Sequence, residues 1–566
     1  MESEPETIPA GGRVRLSRRR AGLLAILLLG LALALPIQAV GWNQTSHYAL
    51  TRALADGTPR IDRWHHTTGD RARYHRHWYS ARAPGLAFWE QPAYAVARAL
   101  HANRFKHIGP HHNDLPIWLL GLWGTVLPAL GLLLLVRAVA ERLEPGFGTA
   151  AALTVGLGSL LLPFATMLFS HVPAALLGFA AFAVLFHERH GPRARPLLIV
   201  AAGLLIGLGV TTEYPTFLVG VVLGVYALSG HSGFRRPRDV LARAAPYVLG
   251  VAIGVVPLAL YNHWAFGSFT HIAYSDIRQQ QQGFFGIDAP RPAVIVQLLL
   301  TSRGLLTLTP VLGMAAVGGV LLYRAGRRAE SLTIAAVMLV LLIYNSGYYL
   351  PFGGNVPGPR FMIAAIPFLG VALASAWRRF PGVTLALAAA SVIGMLIPTM
   401  TEPMVRNESY AGVWTHWIRL GHLTATPLTA AGVQSAWLSW VPVFALLALA
   451  VALTVRATAA VELPVRQLAA GLAVTCGWAL FAALGPHGLG IDQAAAGVLR
   501  GAHQLHLGFH AYGSNPISGF ALYCLAGALS ALTLAGLASA FRNRKTSRRV
   551  PLPVAADGPD VPDPVR

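Results

Sequence analysis

The chain is poor in charge, in acid and in cysteine. Only 12% of its 566 residues are charged, about half of what a soluble domain carries. Asp and Glu together number 23 against 44 Lys and Arg. The two cysteines, Cys476 and Cys524, sit far apart in apolar runs with no CxxC, which leaves no basis for a disulfide framework or zinc-thiolate chemistry. No GxxxxGK[ST] loop and no dinucleotide fingerprint occurs, so nothing supports ATP or NAD use. No internal repeat is visible, and no soluble domain stands apart from the apolar sequence.

What is present is hydrophobic. Apolar residues make up 54% of the chain, and the mean hydropathy is +0.53. Long apolar runs recur near the ~20 residues that cross a bilayer core. The expected class is an all-α polytopic membrane protein of about 12–14 spans with long external loops. An outer-membrane barrel needs short alternating segments instead. Runs fall near 21–41, 115–136, 148–166, 171–186, 196–212, 215–230, 245–264, 304–323, 331–350, 361–376, 382–399, 436–455, 466–485 and 516–541.

The net charge of +21 follows from topology rather than from nucleic-acid binding, which is not expected. "RVRLSRRR" precedes the first run. That run is longer than a signal-peptide core and reads as a retained span. "HERHGPRARP", "SGHSGFRRPRD", "YRAGRRAE" and "WRRFPG" then recur on every second connection. The positive-inside rule puts these connections, and both termini, in the cytoplasm of a plasma-membrane protein. Residues 1–20 read as a basic cytoplasmic N-terminus and 21–375 as the core, including the loop 41–114. Residues 376–541 read as a C-terminal transmembrane region and 542–566 as a Pro-rich disordered tail.

The opposite face receives the long loops, near 41–114, 265–303, 350–360, 400–435 and 486–515. The first holds "TGDRARYHRHWYSARAPG" together with Asp56, Asp62, Asp70, Glu90 and Asp114. Glu213, in "LGVTTEYPTFL", is an acid at membrane depth, which is a functional candidate by default. Its bland alternative is a carboxylate reaching the interface between two short helices. Arg360, in "PFGGNVPGPRFMIAAIPFL", opens a span. Arg suits a phosphate through its two-pronged fork, and it is also a common interfacial anchor. "AFGSFTHIAYSDIRQQQQGFFGIDAP", with Tyr274, Asp276 and Arg278, reads mostly as an amphipathic segment lying on the membrane. Arg303 follows it. His65-His66, His75-x-His77 and His111-His112 supply imidazoles for zinc or copper, but without helical ligand spacing they read as polar surface.

Several of these segments, in this order, resemble a known group. "NQTSHYALTRALADGTPRID" with "TGDRARYHRHWYSARAPG" is similar to the first external loop of bacterial GT-C membrane glycosyltransferases, of the protein-mannosyltransferase-like and arabinofuranosyltransferase-like kind. "PFATMLFSHVPAALLGFAAF", "GLGVTTEYPTFLVG", "YNHWAFGSFTHIAYS", "RGLLTLTPVLGM" and "GPRFMIAAIPFL" resemble further segments, over roughly residues 40–375. The resemblance implies a GT-C-like helix bundle that moves a sugar from a polyprenyl-phosphate donor to an extracytoplasmic glycan, lipid or protein. It implies a catalytic acid in the first loop. Where many relatives carry an acidic pair after the first span, this chain has Asn43-Gln44, so the role passes to Asp70, with Asp62 in reserve. Glu213 would hold the acceptor or help bind a metal. Arg82, Arg303 and Arg360 would bind phosphate, and His77, Trp78, Tyr79 and Tyr274 would line the substrate site. No cofactor is certain, and a divalent-metal requirement stays open. A transporter or flippase, and a GT-C-like protein without activity, are the alternatives.

Overall fold

The computed structural model describes residues 17–105, 107–108, 113–230, 237–404, 410–488 and 517–547. The chain is a polytopic helical protein. Among the described residues, nine helices are long and apolar enough to cross a membrane. A tenth span results if the pair Pro292–Leu308 and Pro310–Arg324, bent by 100° at their junction, counts as one.

Fewer straight spans form than the apolar runs suggest, for local reasons. Helix α1 (Arg18–Leu33) stops short of residue 41, just before Pro36, which has no N–H to continue the ladder. The run 148–166 splits into Gly148–Leu157 and Leu161–Ala165 around Gly158. The run 304–323 breaks before Pro310. Hydropathy measures what a segment dissolves in, and a proline or glycine turn inside it leaves that average untouched.

The loop 41–114 is folded. Helix α2 (Trp42–Ala55) leads into a hairpin of β1 (Arg71–Tyr74) and β2 (His77–Ser80), then helix α3 (Gly85–Ala99). The hairpin pairs Arg71 with Ser80 and Tyr74 with His77, with His75 and Arg76 at positive φ in its turn. Below it lies a small apolar core of Leu50, Ile61, Ala72, Tyr79, Tyr261 and Phe266. Tyr79 is a member of this core, with its ring 4.8 Å from that of Phe266. The segment expected as an amphipathic helix over 265–290 is instead irregular, with 3-10 turns at Ala273–Asp276 and Arg278–Gln280. Gly267, Gly283 and Gly286, all at positive φ, punctuate it and end any helix there.

Helices Pro196–Thr212 and Pro237–Phe266 meet backbone to backbone. A Cβ on Gly203 would stand 2.1 Å from the Tyr247 carbonyl oxygen, and one on Gly207 2.4 Å from that of Val251. Gly250 and Gly254 close the seam reciprocally against Val200 and Leu204. Small residues four apart on facing helices allow this close approach inside a bilayer. The seam fixes the end of Pro196–Thr212, and the next residue is Glu213. Helix α3 rests on the same end, because a Cβ on Gly85 would meet Thr212 Oγ1 at 2.6 Å.

Candidate active site

The stretch "TGD" is pinned to α2. Thr68 Oγ1 donates to the Trp42 carbonyl at 2.7 Å, and Asp70 N–H donates to Thr68 Oγ1 at 3.0 Å. Gly69 lies flat against Trp42, whose ring a Cβ there would meet at 2.5 Å. Ser46 Oγ donates to the Asp70 carbonyl at 2.6 Å and lies 2.8 Å from Ser80 Oγ. These bonds hold the Asp70 backbone while its side chain pairs with Arg82 through Oδ2 and Nη2.

Asn43 completes the clasp. With its carboxamide oxygen turned toward Arg82, it accepts from Nε at 3.1 Å and from Nη1 at 3.2 Å. An amide thus stands where an acid was expected, and it holds the guanidinium without neutralising it. Burial opposes the charge on Arg82, but Asp70, Tyr274 and Glu213 outweigh burial and hold the group firmly protonated. His47, one helical turn after Asn43, is fully buried with neither ring nitrogen partnered. Burial, then Arg82 and Arg360, push it down to about 3, so it is a neutral imidazole.

Arg360 arrives from another part of the chain. It lies within electrostatic reach of Arg82, Asp70 and Glu213. Its guanidinium sits 5.6 Å from the Phe169 ring centroid and 5.1 Å from that of Phe361. It is 7% exposed, and no described residue gives it a hydrogen bond or an ion pair. The Gly-rich turn before it explains how the side chain fits. Gly353, at φ +79°, passes so close that a Cβ would meet Arg360 Nε at 2.4 Å. Arg303 braces this turn by donating from Nη2 to the carbonyls of Gly354 at 2.7 Å and Val356 at 2.6 Å.

Glu213 accepts from Ser170 Oγ, and His171 Nδ1 lies 3.5 Å from the same oxygen, Oε2. Tyr274 packs edge-on against Tyr214 at 5.2 Å and is within electrostatic reach of Glu213, Arg82 and Arg360. Six stretches of sequence therefore converge. They bring Asn43 and His47, Asp70 and Arg82, Ser170 and His171, Glu213, Tyr274, and Arg360 to one place.

Other candidates lie apart. Asp62 Oδ2 pairs with His77 Nδ1 at 2.7 Å, and its Oδ1 accepts from Trp78 N–H at 2.7 Å. Both of its oxygens are thereby engaged at the solvent-facing hairpin. Asp276 pairs with His271 at 2.7 Å. Among the described residues no three His, Cys, Asp or Glu side chains cluster as a metal site. His111, His112, the loop 489–516 and the tail 548–566 lie outside the described residues. Motif reading missed His47 and His171. The i, i+4 spacing of Asn43 and His47 on α2 was the available signal, and His171 stood inside "FSHVP".

Several solved structures are similar to the chain, each at a TM-score below 0.5. The structure of ArnT from Cupriavidus metallidurans bound to undecaprenyl phosphate matches 93% of this chain and 78% of its own, at 15% identity and a TM-score of 0.41. The apo oligosaccharyltransferase of Archaeoglobus fulgidus is similar at 10% identity and a TM-score of 0.40, over 91% of this chain and 64% of that one. AglB from the same archaeon, in complex with an inhibitory peptide and a dolichol-phosphate, is similar at 12% identity and a TM-score of 0.40, over 77% of this chain and 56% of that one. The chain thus spans less than two thirds of the archaeal enzymes. No family model and no curated protein matches it in sequence.

Proposed function

We propose that the protein is a GT-C-type glycosyltransferase of the plasma membrane. It would transfer a sugar from a polyprenyl-phosphate donor to a glycan, lipid or protein acceptor outside the cytoplasm. The observation that carries this reading is the Arg82–Arg360 pair. One guanidinium is clasped by Asp70 and Asn43, and the other is buried with no hydrogen bond to any described residue. With Asp70 committed to Arg82 and Glu213 bonded to Ser170, the Arg360 guanidinium offers its N–H groups to an anion, and a phosphate accepts bidentate bonds from arginine.

The chemistry follows from that charge. When the C1–O bond of the donor breaks, the leaving phosphate gains negative charge, and fixed cations at that position lower the barrier. Asp70 holds Arg82 in place through Oδ2, and Arg303 holds the turn that carries Arg360. Tyr274 and Glu213 border the side where sugar and acceptor would lie. Asp62, His77 and Tyr79 support the hairpin and do not reach the substrate in this reading. The Arg-rich connections support cytoplasmic termini and an external site, and every proposed site residue falls within 21–375.

The test is binding of radiolabelled undecaprenyl phosphate to the purified full-length protein, followed by transfer from labelled undecaprenyl-phosphate hexoses and pentoses in membranes. Arg82→Gln is expected to weaken binding at least tenfold. Equal binding by the wild type and Arg82→Gln sinks the proposal.

A further inference from the structure

A transferase of this kind needs a group to take the acceptor proton, and the position expected for it holds Asn43. Asp70 is a poor substitute, because its carboxylate is committed to Arg82 through Oδ2. One other constellation at the site has the required parts. His171 opens the helix His171–Arg189. Its Nδ1 lies 3.5 Å from Glu213 Oε2, and its side chain is 5% exposed. Its Nε2 is buried and has no partner. Ser170 Oγ fixes the same carboxylate oxygen from the adjoining residue.

Packing fixes where that ring stands. It stacks on Phe169 at 5.9 Å and 21°, and meets Phe361 edge-on at 5.5 Å and 77°. These are the two rings that carry the Arg360 guanidinium. The imidazole and the Arg360 cation thus share one aromatic wall.

We infer that His171 is the general base of the transfer, with Glu213 as its positioning residue. This rests on the glycosyltransferase reading above. His171 Nδ1 faces Glu213 Oε2 at 3.5 Å, and closing that gap to a hydrogen bond on substrate binding selects the tautomer with a lone pair on Nε2. An imidazole oriented by a carboxylate in this way is a recurrent base on unrelated folds. In the step itself, the acceptor oxygen forms a bond to C1 of the sugar while its proton passes to Nε2. The C1–O bond to the phosphate breaks, and its electron pair leaves with the polyprenyl phosphate. The donor phosphate carries one negative charge before cleavage and two after it. The imidazolium, beside that phosphate, returns the proton to it and is neutral again, and Glu213 stabilises the imidazolium in the interval.

The experiment uses the full-length protein with two probes. Labelled undecaprenyl phosphate reports binding, and the panel of labelled undecaprenyl-phosphate hexoses and pentoses reports transfer. His171→Gln and His171→Ala are expected to bind undecaprenyl phosphate within about twofold of the wild type. Transfer is expected to fall by about 10²-fold or more, the usual contribution of a general base. Added imidazole is expected to restore part of the His171→Ala rate. Glu213→Gln is expected to lower kcat with KM unchanged. Normal binding and near-wild-type transfer by His171→Gln overturn the inference and leave the phosphate site standing. Loss of transfer in Asp70→Asn alone does the same. If imidazole rescues nothing and both variants lose binding, His171 is structural and the inference fails. A wild type that neither binds undecaprenyl phosphate nor releases sugar from any donor overturns both readings.

Discussion

Replacing Arg360 by Met is expected to move stability and binding in opposite directions. Moving an ion out of water costs several kcal/mol even after relaxation. Arg360 recovers little of this, because it is 7% exposed and no described residue gives it a hydrogen bond. The two rings beside it return about 0.5–2 kcal/mol each. Repulsion from Arg82 opposes the attraction of Asp70 and Glu213. The balance leaves the empty site destabilised by about 1–3 kcal/mol. Met keeps the stem that lies against Gly353 and removes the charge. The melting temperature in detergent, followed by tryptophan fluorescence, is therefore expected to rise by about 2–5 °C. The same variant loses a charge-assisted bond worth about 1.5–3 kcal/mol. Binding of undecaprenyl phosphate is expected to weaken by about 10–150-fold. A lower melting temperature, or unchanged affinity, refutes the reasoning. The first would mean that Arg360 holds the fold, and the second that no phosphate sits there.

Three further outcomes are expected. Asn43→Asp puts a second carboxylate on Arg82. Beside a bound phosphate, at an effective dielectric of about 20, the added repulsion is on the order of 2 kcal/mol, so undecaprenyl phosphate should bind at least about tenfold more weakly in an equilibrium assay. Gly207→Leu forces apart two backbones that a Cβ would already overlap, and size-exclusion profiles after heating should show a loss of more than about 3 kcal/mol, at the severe end of single substitutions. Glu90 is fully buried, and its carboxyl is pushed up to about 8 by burial, against the opposing bond from Thr51. Its neutral form is the folded one, so its contribution is complete below about pH 4.5 and is lost as pH rises through about 8. Glu90→Gln should flatten that decline by a few kcal/mol in melting curves taken across this range.

The residue types of the candidate site were legible in the sequence, and the contacts between them were not. Hydropathy placed most spans, and loop composition pointed to the face that carries Asp70, Arg82, Glu213 and Arg360. Hydropathy could not see the breaks at Gly158 and Pro310, because a turn inside an apolar run does not change the run's average. Asp70 ranked ahead of Asp62 only through the resemblance, and the hairpin register separates them physically. That register aims the Trp78 N–H and His77 at Asp62. Arg303 and Arg360 were likewise equal as arginines. Only the path of the 350–360 turn gives one of them carbonyl oxygens and the other an aromatic wall. His171 was invisible as a base because its carboxylate lies 42 residues away and its value depends on a lone pair left without a partner.

The glycine seam has a mechanical consequence. Side chains between helices act as compressible pads, and at Gly203, Gly207, Gly250 and Gly254 there are none, so Pro196–Thr212 and Pro237–Phe266 are braced as one strut. Glu213, at the tip of that strut, inherits its stiffness. In the proposed reading the carboxylate at the end of this strut is the fixed point against which the reactants are brought to register.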